Sequence, residues 1–335
     1  MSSLPFQYVR GAIHLPELAL WLDAHEARPH GERVFVSHAH SDHTGRHREV
    51  ILTEPTAGLM QARLGGRRIE HLLRFGERRE FSQGDNKFHL TLLPAGHILG
   101  SAMAFIEADG ESLLFTGDFR LQHGTTAERC APRHADVLIM ETTFGRPKYL
   151  FPPVPEVMAN IIGFCREALD DGATPVLLAY SLGKSQELLR GLAGSGLPFL
   201  LHATTHKMTG IYQQFGHEFP SYALLEEMAE PGRVILAPPQ LLRSPLLAQF
   251  GRLRTAIVSG WAIDSSCRFR AGTDAAFALS DHADFSELIN FVRMVGPRRI
   301  FTLHGFAADF ALTLRRLGFD ARALSESEQL ELALV

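Results

Sequence analysis

The chain has 335 residues, 45% of them hydrophobic and 21% charged, with a formal net charge of −4. That length allows one large domain or two ordinary ones with a sizeable core, and the composition excludes a disordered chain. A globally basic nucleic-acid binder is excluded, no apolar run reaches the roughly 18 residues of a membrane span, and the start MSSLPFQYVRGAIHL lacks a signal-peptide layout.

The first half reads as short strands over 18–24, 33–38, 49–53, 88–95, 101–108, 112–118 and 136–142, apolar runs that end at Asp, Gly, His or Pro. Residues 54–65 read as a helix with Pro55 near its start. The stretch 63–79 carries Arg63, Arg67, Arg68, Arg74, Arg78 and Arg79, and Arg298 with Arg299 forms a smaller pair. Such a run reads as a solvated face, or as a phosphate-binding strip if it lies beside a reactive site. Prolines at 147, 152, 153 and 155 mark a boundary. Beyond it strands and helices alternate: a helix closed by Gly172, a strand at 175–180, a helix at 185–194, and apolar strands near 198, 233 and 255. That is the pattern of a parallel βαβ sheet. The chain closes with a helix at 286–296, a strand at 299–305 and a helix at 308–318. Cys130, Cys165 and Cys267 form no CxxC and predict free thiols in a reducing, cytoplasmic compartment.

Histidine is the outlier, with 17 in the chain. The segment VFVSHAHSDHTG (34–45) places His38, His40, Asp42 and His43 within six positions. Alternate residues of an extended loop share one side, so His38 and His40 can grip one ion while Asp42 and His43 face another. Imidazole and carboxylate suit a divalent cation such as zinc, with manganese as the alternative. His97 in PAGH, Asp118 in FTGD, His282 in LSDH and His304 in TLHG also follow apolar strands. Strand ends gather at a sheet edge, where residues dispersed in sequence converge.

HAHSDH, PAGH and TGD resemble the successive motifs of the metallo-β-lactamase fold, with Asp23 where that fold keeps an aspartate bracing the metal loop. Glu141 in METTFG, YSLGKSQELL (180–189), LSDHAD and LHG resemble the additional motifs of the β-CASP nucleases. Nearest among these is the bacterial group of ligase-associated DNA exonucleases. The resemblance implies an α/β protein: a metallo-β-lactamase αββα sandwich over 1–150 and 276–335, with a small β-CASP α/β domain inserted over 151–275. It implies two divalent metal ions, His38, His40 and His97 on one, Asp42, His43 and His304 on the other, with Asp118 bridging. It further implies hydroxide attack on phosphorus, with His282 as general acid held by Glu141 and Asp42 in the catalytic group. The substrate implied is single-stranded DNA, degraded from its 5′ end in repair beside an ATP-dependent DNA ligase and a helicase. The alternative is an RNA exo- or endonuclease, favoured by His304, since the RNA-processing branches carry histidine there. A small-thioester or lactam hydrolase would need neither the insert nor the Glu141–His282 pair, and a non-catalytic scaffold would have lost ligands.

Two further motifs stand apart from this set. Gly183-Lys184-Ser185 resembles part of a phosphate-binding loop, but the glycine that motif needs five residues earlier is Leu178. Ser181 and Lys184 are therefore expected either to contact a substrate phosphate or to cap a helix. His202 and His206 have the spacing of a helical metal pair but lack a third ligand nearby, which favours a structural role.

Overall fold

The computed structural model describes residues 4–28, 32–227 and 232–324. One compact unit comprises Met1–Tyr149 with His282–Val335, and the other is Leu150–Asp281. The first unit opens with the hairpin β1 (Gln7–Val9) and β2 (Ala12–Leu15), followed by β3 (Leu20–Leu22), β4 (Arg33–Phe35) and β5 (Glu49–Leu52). Helix α1 (Glu54–Leu64) starts where Thr53 Oγ1 accepts from the Thr56 amide and Pro55 sits in the first turn. It leads to β6 (Ile69–Leu72), and the six strands form one sheet in chain order, parallel from β3 to β6. Strands β7 (Arg78–Gln83), β8 (Asn86–Pro94), β9 (Ala102–Ala108), β10 (Glu111–Phe115) and β11 (Val137–Glu141) begin a second sheet.

The second unit runs through α2 (Val154–Asp170), β12 (Thr174–Leu178), α3 (Lys184–Gly191), β13 (Phe199–Leu201), α4 (Ala203–Gln214) and β14 (Tyr222–Leu224). It continues with β15 (Val234–Ala237), β16 (Leu253–Val258), α5 (Cys267–Ala271) and β17 (Ala275–Phe277). Every strand pair here is parallel, in the order β14-β13-β15-β12-β16-β17. Both faces are covered: Leu177 packs with Ile161, Phe164 and Leu188 on one side, and Val176 and Leu178 pack with Leu241 and Phe250 on the other. The unit ends at Asp281 rather than at the expected residue 275, because β17 adds to the sheet through β16.

The chain then returns to the first unit through α6 (Phe285–Val295), β18 (Arg299–Leu303), α7 (Ala307–Arg316) and β19 (Ala321–Ala323), completing a seven-stranded sheet. Its strands alternate strictly. Leu113, Phe115, Val137 and Ile139 face the first sheet's Leu22, Phe35 and Ile51, whereas Leu114, Leu138 and Met140 meet Phe291, Val295 and Phe310 of α6 and α7. Two sheets with helices outside give the αββα sandwich the motifs implied.

Strand direction places the site. β8 is antiparallel to β9 and β9 to β10, so β8 and β10 run the same way, and β11 and β18 are parallel to β10. The residues that follow these four strands therefore gather at one edge: His97, Asp118, Glu141 (the last residue of β11) and His304. β3 and β4 do the same in the first sheet, delivering Asp23 and the Ser37–His43 loop. The Ala102 amide donates to the Ser37 carbonyl at 2.8 Å and ties the two edges together.

The basic stretch contains two strands that the sequence reading left unassigned. β6 (IEHL) is short and exposed, and β7 (RREFSQ) is mostly exposed with Phe81 as its one apolar residue, so neither shows apolar alternation.

Candidate metal centre

Asp23 lies just past β3 in a left-handed conformation, φ +51°, and is buried. Its Oδ1 accepts from the Ser37 amide at 2.7 Å, and its Oδ2 accepts from Ser37 Oγ at 2.6 Å and faces His43 Nδ1 at 2.7 Å. The carboxylate only accepts, so His43 Nδ1 carries the proton and Nε2 is left facing the site. Ser37 gives its own proton to Asp23, so its oxygen accepts from His38 Nδ1 at 2.9 Å. His38 is thereby fixed with a bare Nε2. One carboxylate and one hydroxyl set the tautomers of two site histidines. Gly117 makes this close packing possible: at φ +54°, a Cβ there would sit 2.5 Å from Ser37 Cβ.

The bare His38 Nε2 lies 3.0 Å from His40 Nδ1, and His97 Nε2 lies 3.1 Å from the same His40 nitrogen. Asp118 Oδ2 stands 3.5 Å from His38 Nε2, 3.3 Å from His43 Nε2, 3.8 Å from His97 Nε2 and 4.0 Å from His282 Nε2. One donor atom from each of His38, His40, His97 and Asp118 falls within a 4.8 Å cluster. Donors about 2.0–2.2 Å from a tetrahedral zinc stand about 3.3 Å from one another, so this set fits such an ion without rearrangement. Ring protons can serve only one such pair at a time, whereas a cation takes all four lone pairs.

The second expected group is more open. Asp42 has a mostly exposed side chain with Oδ2 3.9 Å from His43 Nε2, and the His304 and His43 rings are 5.8 Å apart. His304 is itself left-handed, φ +58°, and its carbonyl accepts from Thr142 Oγ1 at 2.7 Å. Gly305 follows because a Cβ there would come within 2.4 Å of Thr143 Cα.

The site's own side chains set one another's charge. Burial opposes a charge on His43, but Asp118 and Asp23 outweigh it and hold the ring protonated well above the usual imidazole range. Burial likewise opposes charge on Asp118, yet His43, His282 and His38 hold its carboxyl well below the usual range. His38 is pushed well down by burial and then by the neighbouring His43, His97 and His40. Burial and then His43 lower His304.

Beside this cluster, His282 Nδ1 lies 2.9 Å from Glu141 Oε1. Glu141 is fully buried and accepts from the Phe119 amide at 3.2 Å and the Thr143 amide at 3.0 Å. The carboxylate fixes the His282 ring and leaves Nε2 toward Asp118.

Other sequence-selected residues have different surroundings. Lys184 is buried at the start of α3, with its ammonium on the Asp281 carboxylate. Its charge is thus engaged within the protein, as a phosphate contact's would not be. Ser181 Oγ bonds Thr204 Oγ1 at 2.9 Å. His202 caps α4, accepting from the Thr204 amide, and His206 stacks edge-on against Tyr222. Three of the six arginines of the strip are in ion pairs, Arg68–Glu70, Arg78–Glu107 and Arg79–Glu77, and Arg298 and Arg299 pair with Asp136 and Glu111. Arg63 instead donates to the Ala39 carbonyl at 3.0 Å, between His38 and His40, and supports the metal loop from behind. Ser37 and Arg63 are the supporting residues that sequence reasoning did not assign. Ser37 stood inside the quoted motif, and only the proximity of Asp23 reveals its part.

Residues 22–154 match the family model of the metallo-beta-lactamase superfamily, and residues 275–324 that of the Zn-dependent metallo-hydrolase RNA specificity domain. A protein of Opitutus terrae named "Probable DNA ligase" is 49% identical over 323 residues, 96% of this chain and 31% of that protein. An "RNase J-like protein" of Methanocaldococcus jannaschii is 30% identical over 182 residues, 47% of this chain and 42% of its own length. An endoribonuclease of Yarrowia lipolytica is 37% identical over 107 residues, 31% of this chain and 13% of that protein. The chain thus spans less than half the length of these relatives. A solved structure of a protein of unknown function from Enterococcus faecalis superposes with a TM-score of 0.59 at 14% identity, covering 88% of this chain and 79% of that one, which speaks to the fold.

Proposed function

The chain belongs to the metallo-β-lactamase superfamily in its β-CASP form, and on that premise we propose that it is a metal-dependent nuclease acting from the 5′ end of single-stranded DNA. The observation that carries the nuclease reading is the half-buried His282, held by the buried Glu141 and aimed at Asp118 beside the histidine cluster. A hydrolase of small activated esters has no use for a held proton donor, whereas a nucleic-acid chain leaves as an alkoxide that needs one. DNA is favoured by a match that takes in almost the whole chain, to a protein named "Probable DNA ligase"; by the same token, the chain's work lies beside strand joining.

His38, His40, His97 and Asp118 would hold one divalent cation, and Asp42, His43 and His304 a second that shares Asp118. When bound, such cations, zinc or manganese, would offset charge on the phosphate oxygens and would lower the pKa of water for in-line attack. The chain's own residues do the rest. Asp23 and Ser37 present the histidines in the right tautomers. Glu141 stabilises the imidazolium of His282, which donates its Nε2 proton to the leaving O3′.

An RNA nuclease is the second reading, favoured by the match of residues 275–324 to an RNA specificity domain and by the names of the ribonuclease relatives. Matched 5′-phosphorylated DNA and RNA single strands, labelled at either end and supplied with zinc or manganese, separate the two. Mononucleotides released from the 5′ end of DNA are expected. Faster loss of RNA, or internal cuts, would move the chain to the second reading, and cleavage of neither strand would overturn both.

A further inference from the structure

We infer that Arg146 is a substrate contact, a guanidinium held in place beside the metal edge that grips a non-scissile phosphate of the nucleic-acid strand. The inference rests on the nuclease reading, and its residues all belong to the first unit.

Residues 142–149 follow Glu141 out of β11 and wrap the edge that also carries His304. The Gly145 amide donates to the Thr142 carbonyl and the Tyr149 amide to the Arg146 carbonyl, both at 3.0 Å, so the segment is two linked turns. It is built onto the site itself. Thr142 Oγ1 donates to the His304 carbonyl at 2.7 Å, and the Thr142 carbonyl accepts from the Phe306 amide at 2.9 Å. The buried Phe144 sets its ring 6.0 Å from that of His282. Consecutive Cα atoms are about 3.8 Å apart, so Phe306 starts within about 7.6 Å of His304.

Arg146 is fixed from two directions. Its Nε donates to Asp309 Oδ2 at 2.6 Å, and its Cζ lies 4.1 Å from the centre of the Phe306 ring. That ring in turn stacks on the buried Tyr149, with centroids 5.4 Å apart. The guanidinium is half exposed, and among the described residues nothing takes up its Nη1 or Nη2. With Nε engaged, these two nitrogens remain as an end-on fork, the arrangement that meets two phosphate oxygens at once. An exposed ion pair contributes little to stability, so the consequence of the Asp309 contact is the direction in which the fork points. Lys148, two positions on, is exposed with its ammonium 4.9 Å from the Tyr149 ring, and the same stacked rings thus carry a second cation. The scissile phosphate belongs to the metal centre. A cation set off from His304 by a few residues meets the next phosphates along the strand.

Fluorescence anisotropy with a short 5′-phosphorylated DNA strand, labelled at its 3′ end and held with a chelator so that it is not cleaved, tests this across a range of salt. Arg146→Gln should weaken binding about 5- to 30-fold and make the slope of log Kd against log salt shallower by about 0.7. Arg146→Lys keeps the charge and loses the fork, so the wild-type slope should return with affinity still reduced. Asp309→Asn breaks the ion pair and leaves Arg146 its charge, so binding should stay within about 3-fold of wild type or tighten. With zinc or manganese restored, Arg146→Gln should raise KM in step with Kd and lower kcat less than about 3-fold. A 5′-hydroxyl strand locates the phosphate: a loss confined to the 5′-phosphorylated strand assigns the terminal phosphate, and equal losses assign an internal diester, both supporting the contact.

Unchanged affinity and slope in Arg146→Gln would overturn the contact. An equal loss in Asp309→Asn would also overturn it and make the ion pair a structural tether. Wild type that binds the strand but cleaves neither DNA nor RNA would overturn the nuclease reading alone, with the contact still decided by the affinities. Wild type that binds no strand would overturn both.

Discussion

Asp23→Asn is nearly isosteric, yet it should disable the metal centre. In the native site Oδ1 accepts from the Ser37 amide, and an asparagine oxygen can keep that bond. The amide nitrogen then replaces Oδ2, the oxygen 2.6 Å from Ser37 Oγ and 2.7 Å from His43 Nδ1. A nitrogen that donates forces His43 Nδ1 to accept, which moves the ring proton to Nε2. Ser37, now receiving a proton from Asn, turns its own toward His38 Nδ1 and moves that ring's proton to Nε2 as well. Both imidazoles would then present N–H where a cation needs a lone pair. Loss of one such supporting bond costs about 10- to 100-fold in metal affinity, so a change that disturbs two histidines should cost about 100-fold or more, roughly 2.7 kcal/mol. Ser37→Ala, which disturbs only His38, should cost less. Competition against a chromophoric chelator measures both, with near-UV circular dichroism to confirm the fold. Affinity of Asp23→Asn within about 3-fold of wild type would refute the tautomer account.

In the chelated protein, His43 has a folded pKa raised above 6.5, so its stabilising contribution is complete below that pH and is lost as pH rises through the folded value. Asp118, held below 3.8, contributes above that pH and loses its contribution as pH falls through its folded value. Asp118→Asn should therefore flatten the alkaline fall in unfolding midpoint above pH 6.5, and an unchanged pH profile would contradict the coupling. Gly117→Ala should destabilise by about 1–3 kcal/mol through the clash with Ser37 and the left-handed backbone, read by chemical denaturation. A neutral result would mean that the Asp118 turn is loosely packed. His282→Ala should abolish cleavage of nucleic acid while metal content stays at the wild-type level, and co-loss of metal would make it a ligand instead. Arg63→Ala should weaken metal binding several-fold by freeing the Ala39 carbonyl, and unaltered affinity would assign Arg63 to surface packing.

The sandwich was legible because its inner strands alternate: Leu113, Phe115, Val137 and Ile139 point one way and Leu114, Leu138 and Met140 the other. The histidine loop was legible because four donors stand within six positions, and His97 and Asp118 because each follows an apolar strand that runs to the same edge. Strands β6 and β7 were not, since β6 has only four residues and β7 a single apolar side chain, and exposed edge strands of that kind carry no hydrophobic period. The far limit of the insert was hidden in β17, whose three residues join the sheet by pairing alone. Lys184 illustrates the larger gap. A lysine after a strand and glycine reads as an anion contact, and nothing local announces a carboxylate 97 positions away that takes its charge.

Everything above turns on divalent cations binding at the edge shared by the two sheets. Anomalous diffraction at the zinc edge, from crystals of the wild-type protein grown with zinc, tests it directly. One peak is expected enclosed by His38, His40, His97 and Asp118, and a second between Asp42, His43 and His304 on the other side of Asp118. Crystals saturated with zinc that show no peak among His38, His40, His97 and Asp118 would contradict it.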